Sequence, residues 1–171
     1  MNNNGEKIMF TLADIRDIAI QIEKNGEAAY RQAADSVKDS AVRDVFLWMA
    51  EEEKRHATFF SSFTSDEVLT EEQLELEKMG RQLLQEMIAD QTFSLEKEML
   101  LKTSNFDDAL VQAQTFESDT VMFYEFLLNL VSEENAKKQL ETIILEEQRH
   151  IDQLGEMRDA GPESCRNLAL V

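Results

Sequence analysis

Glu52-Glu53-Lys54-Arg55-His56 has a second copy in this chain, Glu146-Glu147-Gln148-Arg149-His150, 94 positions later. The two stretches contain the only histidines in the sequence, and each histidine has a glutamate three residues before it. Each also has a glutamate 33 residues before it, Glu23 for His56 and Glu117 for His150. The only two tyrosines, Tyr30 and Tyr124, each follow those upstream glutamates by seven residues. The chain therefore reads as two copies of one helical hairpin. Folded together, they would gather Glu23, Glu53, His56, Glu117, Glu147 and His150.

The periodicity around these residues is helical. Leu12, Ile15, Ala19, Ile22, Ala29 and Ala33 recur at spacings of three, four and seven, and Thr11 can cap the start, which predicts a helix over about 11–36. Gly26 lies inside that stripe, either to make room above the polar residues or for packing. A second helix is expected over 40–64, begun by Asp39 or Ser40, with the stripe Val45, Met49, Glu53, His56, Phe60 and Phe63. A third is expected over 107–131, carrying Leu110, Ala113, Glu117, Val121, Tyr124, Leu128 and Val131. A fourth, over 133–158 with Ser132 as its cap, carries Leu140, Ile143, Glu147, His150, Leu154 and Met157 and stops before Gly161-Pro162. Polar residues thus replace core residues at matching places on all four stripes. The long connection, 65–106, has its own capping box at Thr70-Glu71-Glu72-Gln73 and an amphipathic helix at about 71–90. A connection of that length can span a bundle, so the second hairpin need not follow antiparallel to the first.

Composition narrows the partners. The chain has 171 residues, enough for one domain with a real core, and only five Gly and one Pro. Its formal charge of -18 disfavours nucleic acid and anionic membranes and favours cations. Cys165 is the only cysteine, so this sequence holds neither an intrachain disulfide nor a CxxC metal site, and Cys165 is expected to be incidental. Residues 1–7 lack a basic-then-apolar signal pattern, and no apolar run approaches the roughly 20 residues of a membrane span. A cytoplasmic setting is the expectation.

Residues three apart on a helix share a face, so Glu53 projects with His56 and Glu147 with His150. Bare carboxylates in an apolar bundle cost several kcal/mol each, in order of magnitude, or take up protons. Two divalent cations would cancel the four negative charges, and the imidazoles would add neutral ligands. A Glu from each of two helices, with Glu-x-x-His from each of the other two, is the ligand plan of di-iron and di-manganese bundles. Glu makes up 23 of 171 residues, so a single Glu-x-x-His means little. Glu at both offsets from both histidines, however, arises by chance roughly 3 times in 10,000. Glu53 and Glu147 are the expected bridging, catalytic pair, with Glu23 and Glu117 terminal and one histidine on each metal. The hydroxyls of Tyr30 and Tyr124 are placed to hydrogen-bond ligand carboxylates and fix them. Glu27 is expected to be exposed. Glu52 and Glu146 are expected to form interhelical pairs, with Arg55 and Arg149 as candidate partners. Trp48 is expected in the core.

Taken together, Glu23…Tyr30, Glu53-x-x-His56, Glu117…Tyr124 and Glu147-x-x-His150 resemble rubrerythrin-like proteins of the ferritin-like superfamily, over about 11–64 and 106–158. The resemblance implies a single all-α ferritin-like domain over 1–171, an up-down four-helix bundle of two hairpins with a long, partly helical crossover. It implies two iron ions, with manganese or zinc as alternatives, reacting with oxygen or hydrogen peroxide and supplied by an external electron donor. Rubrerythrins feed electrons through a cysteine-rich rubredoxin domain, and no such cluster occurs in this sequence. The symmetric ligand set looks more like that of bacterioferritin. The leading expectation is a di-iron oxidoreductase. The alternatives are a ferroxidase or iron-handling subunit of a larger assembly, and a structural bundle with a vestigial site. A homodimer is expected under the leading reading.

Overall fold

The computed structural model describes residues 12–62, 75, 78, 82, 105–131, 134–163 and 165. Four long helices dominate: α1 Leu12–Ser36, α2 Ser40–Ser61, α3 Phe106–Leu130 and α4 Glu134–Ala160. No strand occurs among the described residues. Glu75, Lys78 and Gln82 are helical. The rest of the expected 71–90 helix lies outside the described residues, as do Thr11, Phe63 and Ser132.

Local chemistry sets the helix ends. Asp39 caps α2, accepting from the Ala41 and Val42 amides at 2.8 and 3.3 Å. Asn105 caps α3 by accepting from the Asp108 amide at 2.9 Å, so α3 begins one residue before the expected Asp107. Asp107 and Asp108 then lie in the first turn, where the helix dipole favours negative charge. Gly161 ends α4 at φ 81°, and its amide donates to Met157 O at 3.0 Å. A side chain there would strain the left-handed conformation.

Both hairpins are antiparallel, and so are the contacts between them. Glu23 and Arg31 of α1 meet His56 and Glu51 of α2, respectively. Gln114 of α3 donates to Ile151 O of α4 at 2.9 Å. Between hairpins, Tyr30 meets Glu117 while Tyr124 meets Glu23, so α1 and α3 run in opposite directions. His56 with Glu146, and Glu52 with His150, give the same result for α2 and α4. Hence α2 and α3 run the same way, and the last residue of α2 and the first of α3 lie toward opposite ends of the bundle. This is a ferritin-like four-helix bundle.

The core is divided. One cluster centres on Tyr30, Phe46, Met49, Leu110 and Phe116, the other on Ile15, Ile22, Phe60, Tyr124 and Leu140. All four helices contribute to both. Leu127 is fully buried, whereas Leu128, the expected stripe residue, is only partly so. Cys165 is not incidental to the packing: it is fully buried in the first cluster. No helix among the described residues is long and apolar enough to cross a membrane.

Candidate metal centre

The six residues singled out by spacing lie between the two apolar clusters. Glu23, Glu53, His56, Glu117, Glu147 and His150 are all buried, none more than 5% exposed. Helical register explains the arrangement. Each replaces a core residue on its stripe, so the packing that buries the stripe buries the polar group too.

Glu147 occupies the middle. Its Oε1 is 2.7 Å from His56 Nδ1 and its Oε2 is 3.2 Å from His150 Nδ1. The two imidazoles stack, with centroids 5.2 Å apart and planes 16° apart. Glu23 Oε2 lies 3.5 Å from His56 Nδ1. Glu23, Glu53 and His56 can each offer a ligand atom within 4.8 Å of the others, as can His56, Glu147 and His150. Glu117 is in neither trio. It accepts a hydrogen bond from Tyr30 and lies close enough to Glu147 to interact with it.

The tyrosines cross the bundle. The Tyr30 hydroxyl of α1 donates to Glu117 of α3, and the Tyr124 hydroxyl of α3 donates to Glu23 of α1. Neither serves the glutamate seven residues before it. Burial, then the Glu117 charge for Tyr30 and the Glu23 charge for Tyr124, hold both phenols well above their ordinary value, so both stay protonated donors.

The charges are uneven. Burial, then the charge of Glu23, pushes Glu53 well above the carboxylate range. Burial and then Glu147 do the same to Glu117. For Glu147, burial acts upward, but the two histidines outweigh it and hold it at about 2. Burial acts against protonation of His56, yet the carboxylates of Glu147 and Glu23 raise it to about 11. Without a metal, the surroundings therefore favour proton uptake on Glu53, Glu117 and His56, while the histidines hold Glu147 ionised.

Gly26 marks a break in the symmetry. A Cβ on Gly26 would lie 2.8 Å from Glu53 Cδ and 2.9 Å from each of its carboxylate oxygens. The Glu53 carboxylate thus rests against bare α1 backbone. The residue 94 positions on is Thr120, buried and bonded to Phe116 O at 3.2 Å. Glu147 has no glycine seat and reaches both histidines instead. Of the two explanations open from sequence for Gly26, room for the polar residues is the one the geometry supports.

The surrounding residues refine other expectations. Glu27 is half-buried and accepts from Arg31 at 2.8 Å, rather than standing exposed. Glu52 and Glu146 do span the hairpins, but to histidines: Glu52 Oε2 is 3.5 Å from His150 Nε2 and Glu146 Oε2 is 3.4 Å from His56 Nε2. Their arginines, Arg55 and Arg149, pair with them within their own helices. Trp48 packs partly buried against the first cluster, its ring edge-on to His150 at 5.7 Å. Sequence reasoning did not single out Thr142, which lines a cleft beside His56. Comparing Thr142 with its counterpart at the 94-residue offset, Trp48, was the available signal.

Several buried atoms here lack a hydrogen bond: Glu23 Oε2, Glu53 Oε1, both ring nitrogens of His56, Glu117 Oε2 and Glu147 Oε1. His56 Nδ1 and Glu147 Oε1 are close, but misaligned for a hydrogen bond. Orphaned polar atoms are costly in a packed interior. Every one of these atoms is a metal-ligand type, and together they come from all four helices. The donor set fits divalent cations that accept oxygen and imidazole ligands.

Comparison with protein-family models matches residues 14–158 to the model described as Rubrerythrin. No curated protein and no solved structure matches the chain.

Proposed function

As the chain belongs to the rubrerythrin family, we propose that it holds two metal ions, iron foremost, and acts as an oxidoreductase on oxygen or hydrogen peroxide. The observation that carries this reading is the buried set of four carboxylates and two imidazoles, six of whose ligand-type atoms, on Glu23, Glu53, His56, Glu117 and Glu147, are left without hydrogen bonds. Two irons bound there would bind and polarise the oxidant and supply electrons, to be replaced by an external donor.

In this reading Glu53 and Glu147 would be shared between the ions, Glu23 and Glu117 would each hold one of them, and each histidine would serve one. Tyr30 and Tyr124 hold the terminal carboxylates from the opposite hairpin, so neither can rotate freely. The apolar clusters on either side exclude bulk water. Protons taken up by Glu53, Glu117 and His56 would leave as the ions bind.

Anaerobic loading with Fe(II), followed by oxygen or peroxide, is expected to give a transient ferric absorbance. If chains carrying two irons oxidise them no faster than buffer does, the oxidoreductase reading fails. The near-twofold ligand set and the charge of -18 also favour a second reading, a ferroxidase or iron-handling subunit. Iron retained beyond two per chain in a large assembly would select it.

A further inference from the structure

Building on the metal-binding reading above, we propose that divalent cations enter the centre chiefly from one side, through a cleft beside His56. The offset of 94 makes the two faces of the centre counterparts, yet they are finished differently. Beside His150, Trp48 stands over the imidazole at 5.7 Å. Its counterpart beside His56 is Thr142, a small, exposed residue. Beside Thr142 and His56 the structure has a cleft of about 190 Å³. Glu52, Arg55, His56 and Phe59 of α2 line it, with Thr142 and Glu146 of α4. A water molecule takes roughly 30 Å³ of liquid volume, so the cleft admits a cation still carrying several waters.

The lining suits a cation. Arg55 is paired with Glu52, which offsets its charge. Glu146 is 42% exposed at its side chain, with Arg149 no nearer than 3.9 Å. Its Oε2 is 3.4 Å from His56 Nε2, so a carboxylate at the mouth leads to a ring nitrogen inside. His56 is only 3% exposed, and its ring nitrogens, within ion-pair distance of Glu23, Glu146 and Glu147, make no hydrogen bond, so they are buried ligand-type atoms in the cleft wall. The same half of the centre holds Glu53 on its seat over Gly26. The opening and the seated carboxylate therefore coincide at Glu23, Glu53 and His56.

Cobalt(II) uptake tests this, followed by its visible absorption in stopped flow and by equilibrium titration. Wild type is expected to bind two Co(II) per chain. Thr142→Phe plugs the cleft without touching a ligand, and is expected to slow uptake at least roughly tenfold, with stoichiometry and equilibrium affinity unchanged. Adding Trp48→Thr opens the opposite face and is expected to restore fast uptake. Glu146→Gln is expected to slow uptake and flatten its dependence on salt. Two Co(II) bound by Thr142→Phe at the wild-type rate would overturn the entry route. So would slow uptake in both the single and the double variant. No Co(II) bound by wild type would instead overturn the metal-binding reading itself.

Discussion

Tyr30 donates its hydroxyl to Glu117 on the opposite hairpin, and Tyr124 returns the same bond to Glu23. Each hairpin thereby orients one carboxylate of the other. Tyr30→Phe leaves a buried acceptor on Glu117 without its donor. Urea denaturation of the metal-free protein should show a loss of about 1–3 kcal/mol. Metal affinity should fall about 10–100-fold, measured by competition with a chelating dye. An unchanged affinity would make the bond a matter of packing alone.

The contact between Gly26 and Glu53 makes a second prediction. Alanine in an exposed helix interior stabilises by about 1 kcal/mol relative to glycine. At position 26 a methyl group must displace the Glu53 carboxylate, the free end of a flexible side chain, so the protein should still fold. Gly26→Ala should therefore lose the expected gain in wild type and recover it in a Glu53→Ala background. The double-mutant cycle should give a coupling of about 1 kcal/mol or more. Zero coupling would separate the glycine from the centre.

Stability of the metal-free protein should fall as pH rises. Glu53 and Glu117 are raised above 4.5, so their contributions are complete below that value and are lost as pH rises through their folded values. His56, raised from 6.5 to about 11, contributes fully below 6.5 and loses this as pH climbs toward 11. Glu147, lowered to about 2, contributes above 4.5 and loses this only as pH falls through about 2. The two glutamates act in this direction above 4.5 and His56 above 6.5, so from about pH 6.5 to about pH 9 the melting temperature in chelator should decline. The Glu53→Gln, Glu117→Gln double variant should flatten the decline. Added metal should oppose it, because bound cations displace those protons. A rise across this window in the metal-free protein would contradict the charge assignment.

With only two histidines, imidazole NMR reads the centre directly. In metal-free protein His56 should remain protonated through about pH 9, held there chiefly by Glu147 and Glu23 against the effect of burial. Glu147→Gln should move its titration downward. A His56 that titrates near 6.5 in wild type would show that Glu147 does not hold it.

The helices were legible because apolar spacing and caps agree. The six polar residues were legible because they interrupt that spacing at one offset of 94. The partners of the tyrosines were not, since spacing places Tyr30 near Glu23 in sequence, while helix direction brings it to Glu117. Glu52 was hidden for a related reason. A residue beside the stripe becomes buried only when the facing helix is in place, here 3.5 Å away at His150. The burial of Cys165 depends on how the chain turns back after Gly161, which no periodicity records.

The division of the core has a mechanical consequence. Each apolar cluster draws on all four helices and holds its own end of the bundle together. The belt between them has little apolar surface to contribute and sets buried carboxylates of all four helices close together. The molecule is thus riveted at two ends and sprung in the middle. An ion in that middle acts as a clasp across both hairpins, and its departure should let the waist breathe while the ends stay shut.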